Sequence, residues 1–210
     1  MTTPAKPAGT PEPDTFAGAT TGPRTASQGI RDQLLALDQD IYTAIAESAT
    51  PALDEPLRRL SNAANNSRLW FGVAAGLAAL GGPRGRKAAV TGVTAIGAAS
   101  ALANLAIKPL YRRARPDRFA ARVPDARQVR MPESSSFPSG HSASAFAFAT
   151  AVSGQLPIAG PPLLVLAAAV AYSRVHTGVH YPGDVLAGSI LGIVTGATTA
   201  ALARRINERQ

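Results

Sequence analysis

Three stretches of this 210-residue chain carry no charged side chain over a physically telling length: Ala88–Ile107 is 20 residues, Val185–Ala203 is 19 and Ser142–Ser173 is 32. A helix needs about 20 apolar residues to cross roughly 30 Å of hydrocarbon, so each run is long enough to span a bilayer. The longest is broken by Gly154-Gln-Leu-Pro157 and Gly160-Pro-Pro162 and reads as two spans joined by a tight turn. A shorter run of 14 residues, Leu69–Gly82, is taken as a further span that borrows flanking residues, with Trp70 as an interfacial anchor. The expected fold is therefore all-α: an integral-membrane helical bundle of five spans over residues 69–203, or six if a helix before Trp70 is also embedded. Ala and Gly outnumber Leu in these runs, which suits close helix packing where lipid offers no hydrophobic contrast.

The rest of the chain is different in kind. Residues 1–28 hold five prolines and no Leu, Ile or Val, and cannot bury enough apolar surface to offset the entropy of ordering. They are expected to form a disordered tail, with no charged-then-apolar signal sequence, so that membrane targeting falls to the internal spans. Residues 29–68 carry Ile30, Leu34, Leu37, Ile41 and Ile45 at helical spacing, then Leu53, Leu57, Leu60 and Ala64 after Pro51. That pattern predicts two amphipathic helices lying on the membrane interface or on other parts of the protein. Residues 204–210 are expected to be a basic tail. With no cysteine in the sequence, thiolate catalysis, disulfides and cysteine-ligated metal sites are excluded.

The formal net charge of +8 is concentrated rather than spread. Lys108, Arg112, Arg113, Arg115, Arg118, Arg122, Arg127 and Arg130 occupy one loop between spans, opposed only by Asp117 and Asp125. Alone, such a loop attracts anionic headgroups. Here it is followed by Phe137-Pro-Ser-Gly-His141, which opens an apolar helix and presents free backbone N–H groups at the positive end of the helix dipole, a seat for phosphate oxygens. The next connection holds Arg174, His180 and, after Pro182-Gly183, Asp184. Asp184 is placed to cap the following helix and to accept a hydrogen bond from the His180 ring, fixing one tautomer and leaving the other nitrogen free to attack phosphorus. His141 is then the general acid, and Lys108, Arg115 and Arg174 hold the non-bridging oxygens. All of these connections emerge on one side of the bundle.

Lys108-Pro-Leu-Tyr-Arg-Arg-Ala-Arg115-Pro116, Pro138-Ser-Gly-His141 and Ser173-Arg174-Val-His-Thr-Gly-Val-His180-Tyr-Pro-Gly-Asp184 together resemble the tripartite signature of the type 2 phosphatidic acid phosphatase (PAP2) superfamily. The resemblance implies a helical membrane phosphatase acting on a lipid phosphate or pyrophosphate, phosphatidate-like or polyprenyl, through a phosphohistidine. It implies phosphate binding by Lys108, Arg115, Ser139, Gly140 and Arg174, with His141 as acid, His180 as nucleophile and Asp184 as its orienting partner. No metal and no cofactor is required. The partners it implies are the lipid phosphate substrate and the bilayer.

Two other functions fit parts of the pattern: a vanadium-haloperoxidase-like enzyme, disfavoured by so many apolar runs in a short chain, and a non-catalytic membrane adaptor that grips anionic lipid. Nucleic acid is not an expected partner, because the basic loop lacks interleaved aromatics. His176 matches no signature position and is expected to be structural; a zinc site with His180 and His141 is the alternative. Arg112, Arg113 and Arg118 are expected to face solvent or headgroups, Asp117 to anchor a turn, and Tyr111 and Phe137 to pack at the interface. Arg84, Arg86 and Lys87 in the first connection and Arg204, Arg205 and Arg209 near the end lie opposite the site. The positive-inside rule then puts the site of this multi-pass cell-membrane protein outside the cytoplasm.

Overall fold

The structure is a computed structural model that describes residues 26–209; the tail expected over 1–28 lies almost wholly outside them. The described chain is helical, with no strand: α1 (Ala26–Glu47), α2 (Pro51–Ala63), α3 (Arg68–Leu80), α4 (Gly82–Ala101), a one-turn α5 (Lys108–Leu110), α6 (Gly140–Gln155), α7 (Gly160–His176) and α8 (Pro182–Glu208). A π-helical stretch, Leu102–Ile107, joins α4 to α5 without a break, so Gly82–Leu110 is one continuous helix. Prolines enter the first turns of α2, α4, α7 and α8, where a missing N–H costs nothing. α8 therefore runs through Arg204 and Arg205 to Glu208, and what was expected as a tail from 204 is largely the end of a helix.

Among the described residues, three segments are long and apolar enough to cross a membrane: Gly82–Leu110, Pro157–His176 and Pro182–Glu208. The expected count of five is not reached by that measure. α3 and α6 have 13 and 16 residues, about 20 and 24 Å at 1.5 Å per residue. α6 is instead the buried centre of the bundle, packed on α4, α7 and α8.

Small residues make that packing possible. Gly188, Gly192 and Gly196 form one stripe of α8, and a Cβ on any of them would collide with the backbone of Ser139, Ala143 or Ala147 on α6. Larger side chains fill the far side of α6, where Phe148 and Val152 meet Trp70 of α3. Trp70 does not anchor an interface as expected: it is 1% exposed, its ring 5.4 Å from that of Phe148. The bulk that makes Trp suit an interface also makes it the natural filler between Ala-rich helices.

At the opposite end of the core from α4's basic start, α1 and α2 lie against α7 and α8. α1 packs through Asp38, Tyr42 and Ala46, while Ile30, Leu34, Leu37 and Ile41 of its predicted stripe stay exposed. The corner between α1 and α2 is held by Arg127, itself 1% exposed. Its guanidinium donates to the carbonyl oxygens of Ile45 (3.1 Å), Ala46 (3.2 Å) and Ser48, closing the orphan carbonyls at the end of α1.

Candidate active site

A cavity of about 580 Å³ opens where α4, α6 and the 177–181 turn converge, and its walls differ in chemistry. Lys108, Arg115, Ser134, Gly140, His141 and His180 line one end; Phe71, Val93, Ile96 and Gly97 of α3 and α4 line the other.

His180 sits in the turn between α7 and α8 and is 2% exposed. Its Nδ1 lies 3.5 Å from Asp184 Oδ2, and its Nε2 lies 3.3 Å from Arg115 Nη1. A guanidinium only donates and a carboxylate only accepts, so these two neighbours together select the neutral Nδ1–H tautomer with a basic Nε2 facing the cavity. Burial pushes the imidazole down from 6.5 to about 4; the Arg174 and Arg115 cations add to the shift, and Asp184 opposes it. The ring is thus held in its neutral form near neutral pH.

Asp184 is fully buried at the third position of α8. It accepts from the Tyr181 N–H at 2.9 Å, from the Ser136 hydroxyl and from Arg113 Nη1 at 2.9 Å. The expected helix cap and the expected histidine contact are therefore made by one carboxylate. Arg113, expected to be solvated, is instead a bridge: its Nη2 donates to Asp38 Oδ2 at 2.6 Å, and its guanidinium lies 4.1 Å from the centre of the Tyr181 ring.

Arg115 is tied by its Nε to the Ser134 carbonyl (2.9 Å) and by Nη1 to the Val179 carbonyl (2.7 Å), which fixes the guanidinium beside His180. Lys108 reaches the Ser134 hydroxyl at 3.2 Å from the end of the π-helical stretch, an irregularity common where a helix serves a site. On the facing helix, His141 Nε2 is 2.9 Å from Asn65 Oδ1; that amide oxygen accepts the Nε2–H and leaves Nδ1 for a proton passed to or from the cavity. Asn65 is brought there by a turn in which Asn66 and Ser67 take left-handed backbone angles, φ 52° and 58°.

The structure thus gathers Lys108, Arg115, Gly140, His141 and His180 on one wall, with Asp184 behind His180. Ser139 and Arg174 stand one layer back. Ser139 is buried as the N-cap of α6, its oxygen accepting from the Ser142 N–H at 3.4 Å. Arg174, 1% exposed, donates to Ser61 Oγ at 2.5 Å, and its Nε has no partner among the described residues.

His176 faces the other way, with Nε2 at 3.3 Å from Asp54 and 3.1 Å from Thr50, outside the cavity and apart from His180. Arg118, expected to face outward, donates to the Val129 carbonyl at 2.7 Å and braces the loop. Asp117 does anchor a turn, accepting from the Phe119 and Ala120 N–H groups, and Tyr111 packs against Phe137 with ring centres 5.7 Å apart and planes inclined at 60°. Sequence reasoning did not single out Asp38, Asn65, Ser134 or Ser136 and misjudged Arg113. All five act through contacts with residues far away in the chain, and no local pattern marks them.

A helical bundle with a neutral histidine, a carboxylate behind it, and cations and a second histidine beside it on one wall of a cavity defines a membrane phosphatase. The PAP2 superfamily model matches residues 88–208, and the chain belongs to that superfamily. It is 36% identical over 147 residues to decaprenylphosphoryl-5-phosphoribose phosphatase of Mycobacterium tuberculosis, covering 70% of this chain and 78% of that protein. Among solved structures, the transmembrane PAP2-type phosphatidylglycerolphosphate phosphatase of Bacillus subtilis superposes with a TM-score of 0.65 at 24% identity, over 83% of this chain and 88% of the other. LpxE of Aquifex aeolicus gives 0.61 at 23%, over 79% and 95%.

Proposed function

We propose that this protein is a lipid phosphate phosphatase that hydrolyses a phosphomonoester or pyrophosphate of a polyprenyl-type membrane lipid through a phosphohistidine at His180. The observation that carries it is the two-faced cavity, catalytic and cationic at one end, apolar between α3 and α4 at the other. A phosphate head and a hydrocarbon stem each find a matching wall. The relative from Mycobacterium, which acts on a decaprenyl-linked phosphate by its name, supports the polyprenyl choice over a glycerolipid.

In the first step His180 Nε2 attacks phosphorus, the bond to the leaving oxygen breaks, and His141 gives that oxygen a proton. In the second, His141 takes a proton from water as the water oxygen attacks, the P–N bond breaks and phosphate leaves. Lys108 and Arg115, with the backbone N–H of Gly140 at the start of α6, stabilise the charge on the non-bridging oxygens, and the Arg174 cation adds to that field from the layer behind; the Ser139 N–H donates instead to the Asp184 carbonyl at 2.9 Å. Asp184 holds the Nδ1 proton and offsets the positive charge that His180 acquires on phosphorylation.

The site faces outside the cytoplasm. Arg84, Arg86 and Lys87 at the start of α4 and Arg204 and Arg205 at the end of α8 lie at the helix ends away from Lys108 and Asp184, and the positive-inside rule supports a cytoplasmic location for them.

The test is phosphate release by purified protein in detergent, with EDTA present, from a panel of polyprenyl monophosphate, polyprenyl diphosphate and phosphatidate. Preferred turnover of a polyprenyl substrate is expected. Preference for phosphatidate would reassign the lipid, and strict dependence on added metal would overturn the mechanism.

A further inference from the structure

The family model begins at residue 88, yet a side chain fifty residues earlier is bonded into the catalytic layer. Asp38 lies on the inward face of α1, with Tyr42 and Ala46 one and two turns further on. Its carboxylate is only 10% exposed and both oxygens are engaged: Oδ2 accepts from Arg113 at 2.6 Å, and Oδ1 accepts from the backbone N–H of Gly183 at 2.6 Å. Gly183 directly precedes Asp184 in the first turn of α8. A Cβ at that position would come within 3.0 Å of Asp38 Oδ2, so the glycine is what allows the carboxylate to approach this closely. The arrangement is braced by aromatic rings: Tyr42 packs edge-on against Tyr181 at 5.4 Å, and Tyr181 lies under the Arg113 guanidinium.

We propose that Asp38 is a positioning residue for the His180–Asp184 pair, acting through Arg113 and through the first turn of α8. This rests on the reading of His180 as nucleophile.

The physical reason is charge sharing. Arg113 binds Asp184 Oδ1, while the His180 ring is on the side of Oδ2. With Arg113 paired to Asp184 alone, the guanidinium would neutralise the carboxylate that must draw on the Nδ1 proton. Asp38 takes the other half of the guanidinium, so the set Asp38–Arg113–Asp184 keeps one net negative charge, and Asp184 stays an effective acceptor. Asp38 also accepts from a helix-start N–H that has no partner within α8, where a carboxylate is favoured by the helix dipole, and so fixes the turn that carries His180. α1 is on this account part of the catalytic unit, although it lies outside the segment that matches the family.

The experiment compares wild type, Asp38→Asn, Arg113→Gln and the double variant of the full chain in detergent, with a lipid phosphate as substrate. Asp38→Asn is expected to lower kcat about tenfold or more, as loss of an outer-layer partner does elsewhere, with KM and inhibition by inorganic phosphate unchanged. The double variant is expected to be no worse than Arg113→Gln, because the two residues act in series. Wild-type kcat in Asp38→Asn, or losses that multiply in the double variant, would overturn the proposal. Arg113→Lys, which keeps the charge but cannot bridge two carboxylates in a plane, is expected to lose kcat as well, and full activity there would count equally against it.

A second readout needs no turnover. The chain has three histidines, so 15N NMR of histidine-labelled protein can follow the His180 tautomer. Asp38→Asn should raise the Nε2–H population at the expense of Nδ1–H; an unchanged tautomer overturns the inference. A wild type that releases no phosphate from any lipid would instead count against the proposed function, leaving the NMR result to decide the role of Asp38.

Discussion

Two histidines four residues apart are built into nearly the same surroundings and do opposite things. His176 and His180 are 1% and 2% exposed, each beside an aspartate, and each aspartate is held by an arginine: Asp54 by Arg127 at 2.7 Å, Asp184 by Arg113 at 2.9 Å. The difference lies in which ring nitrogen meets the carboxylate. Asp54 faces Nε2 of His176, leaving Nδ1 buried with no partner among the described residues. Asp184 faces Nδ1 of His180, leaving Nε2 at a cavity lined by Lys108 and Arg115, whose Nη1 lies 3.3 Å away. A buried histidine with a carboxylate is a common structural device. It becomes a candidate nucleophile only when the remaining nitrogen looks into a space that fits the substrate and stabilises its charge.

The comparison breaks most sharply at the nucleophile. His180→Ala is expected to lower phosphate release at least about ten-thousandfold and to abolish trapping of 32P on the protein; retained labelling would move the nucleophile elsewhere. His176→Ala on the same substrate should leave kcat within a few-fold.

The carboxylates come next. Asp184→Asn, which cannot hold the Nδ1–H tautomer as a carboxylate does, should cost roughly a thousandfold in kcat at nearly unchanged KM. Asp54→Asn should leave kcat within a few-fold, and equal losses in the two would dissolve the distinction drawn between the pairs.

An effect of intermediate size is expected in pH dependence. Because burial lowers His180 to about 4, its attacking form persists well below 6.5, and the acid limb of kcat/KM should fall near pH 4 rather than near 6.5. The same shift has a stability consequence. Between pH 4 and 6.5 the unfolded chain binds more protons at this site than the folded one, so its contribution is fully present above about 6.5 and is lost as pH falls towards 4. In His180→Ala that slope should flatten. An unchanged thermal-melting profile over this range would show that His180 is not held neutral by burial.

The smallest effect sharpens the structural side. His176→Ala should destabilise the protein by about 1–3 kcal/mol, the cost of leaving buried polar partners unsatisfied, read as a lower melting temperature in detergent. No change would mean that the Asp54–Arg127 pair holds the α1–α2 corner without it.

Much of the catalytic wall was legible beforehand because it is carried by short local motifs. Pro138-Ser-Gly-His141 opens a helix, Pro182-Gly183-Asp184 opens another, and each places its functional group within one turn of a cap, where sequence and geometry are tightly linked. The fates of the arginines were not legible. Arg112, Arg113, Arg115, Arg118 and Arg127 are chemically identical, yet Arg113 bridges two aspartates, Arg127 closes the end of α1, and only Arg115 faces the cavity. Trp70 shows the same limit on the apolar side, since a side chain suited to an interface serves equally well between helices of alanine.

A bundle of apolar helices, charge gathered at one set of connections, and two histidines and an aspartate placed near helix starts were all readable from the chain alone. These are properties of composition, period and capping, and they are local. Tertiary packing alone sets which nitrogen of each histidine meets the carboxylate, which arginine lines the cavity, and that α1 brings Asp38 to Arg113 and Gly183. Those outcomes depend on contacts across 65 to 145 residues of chain, where packing of the whole bundle selects among side chains that local chemistry leaves equivalent.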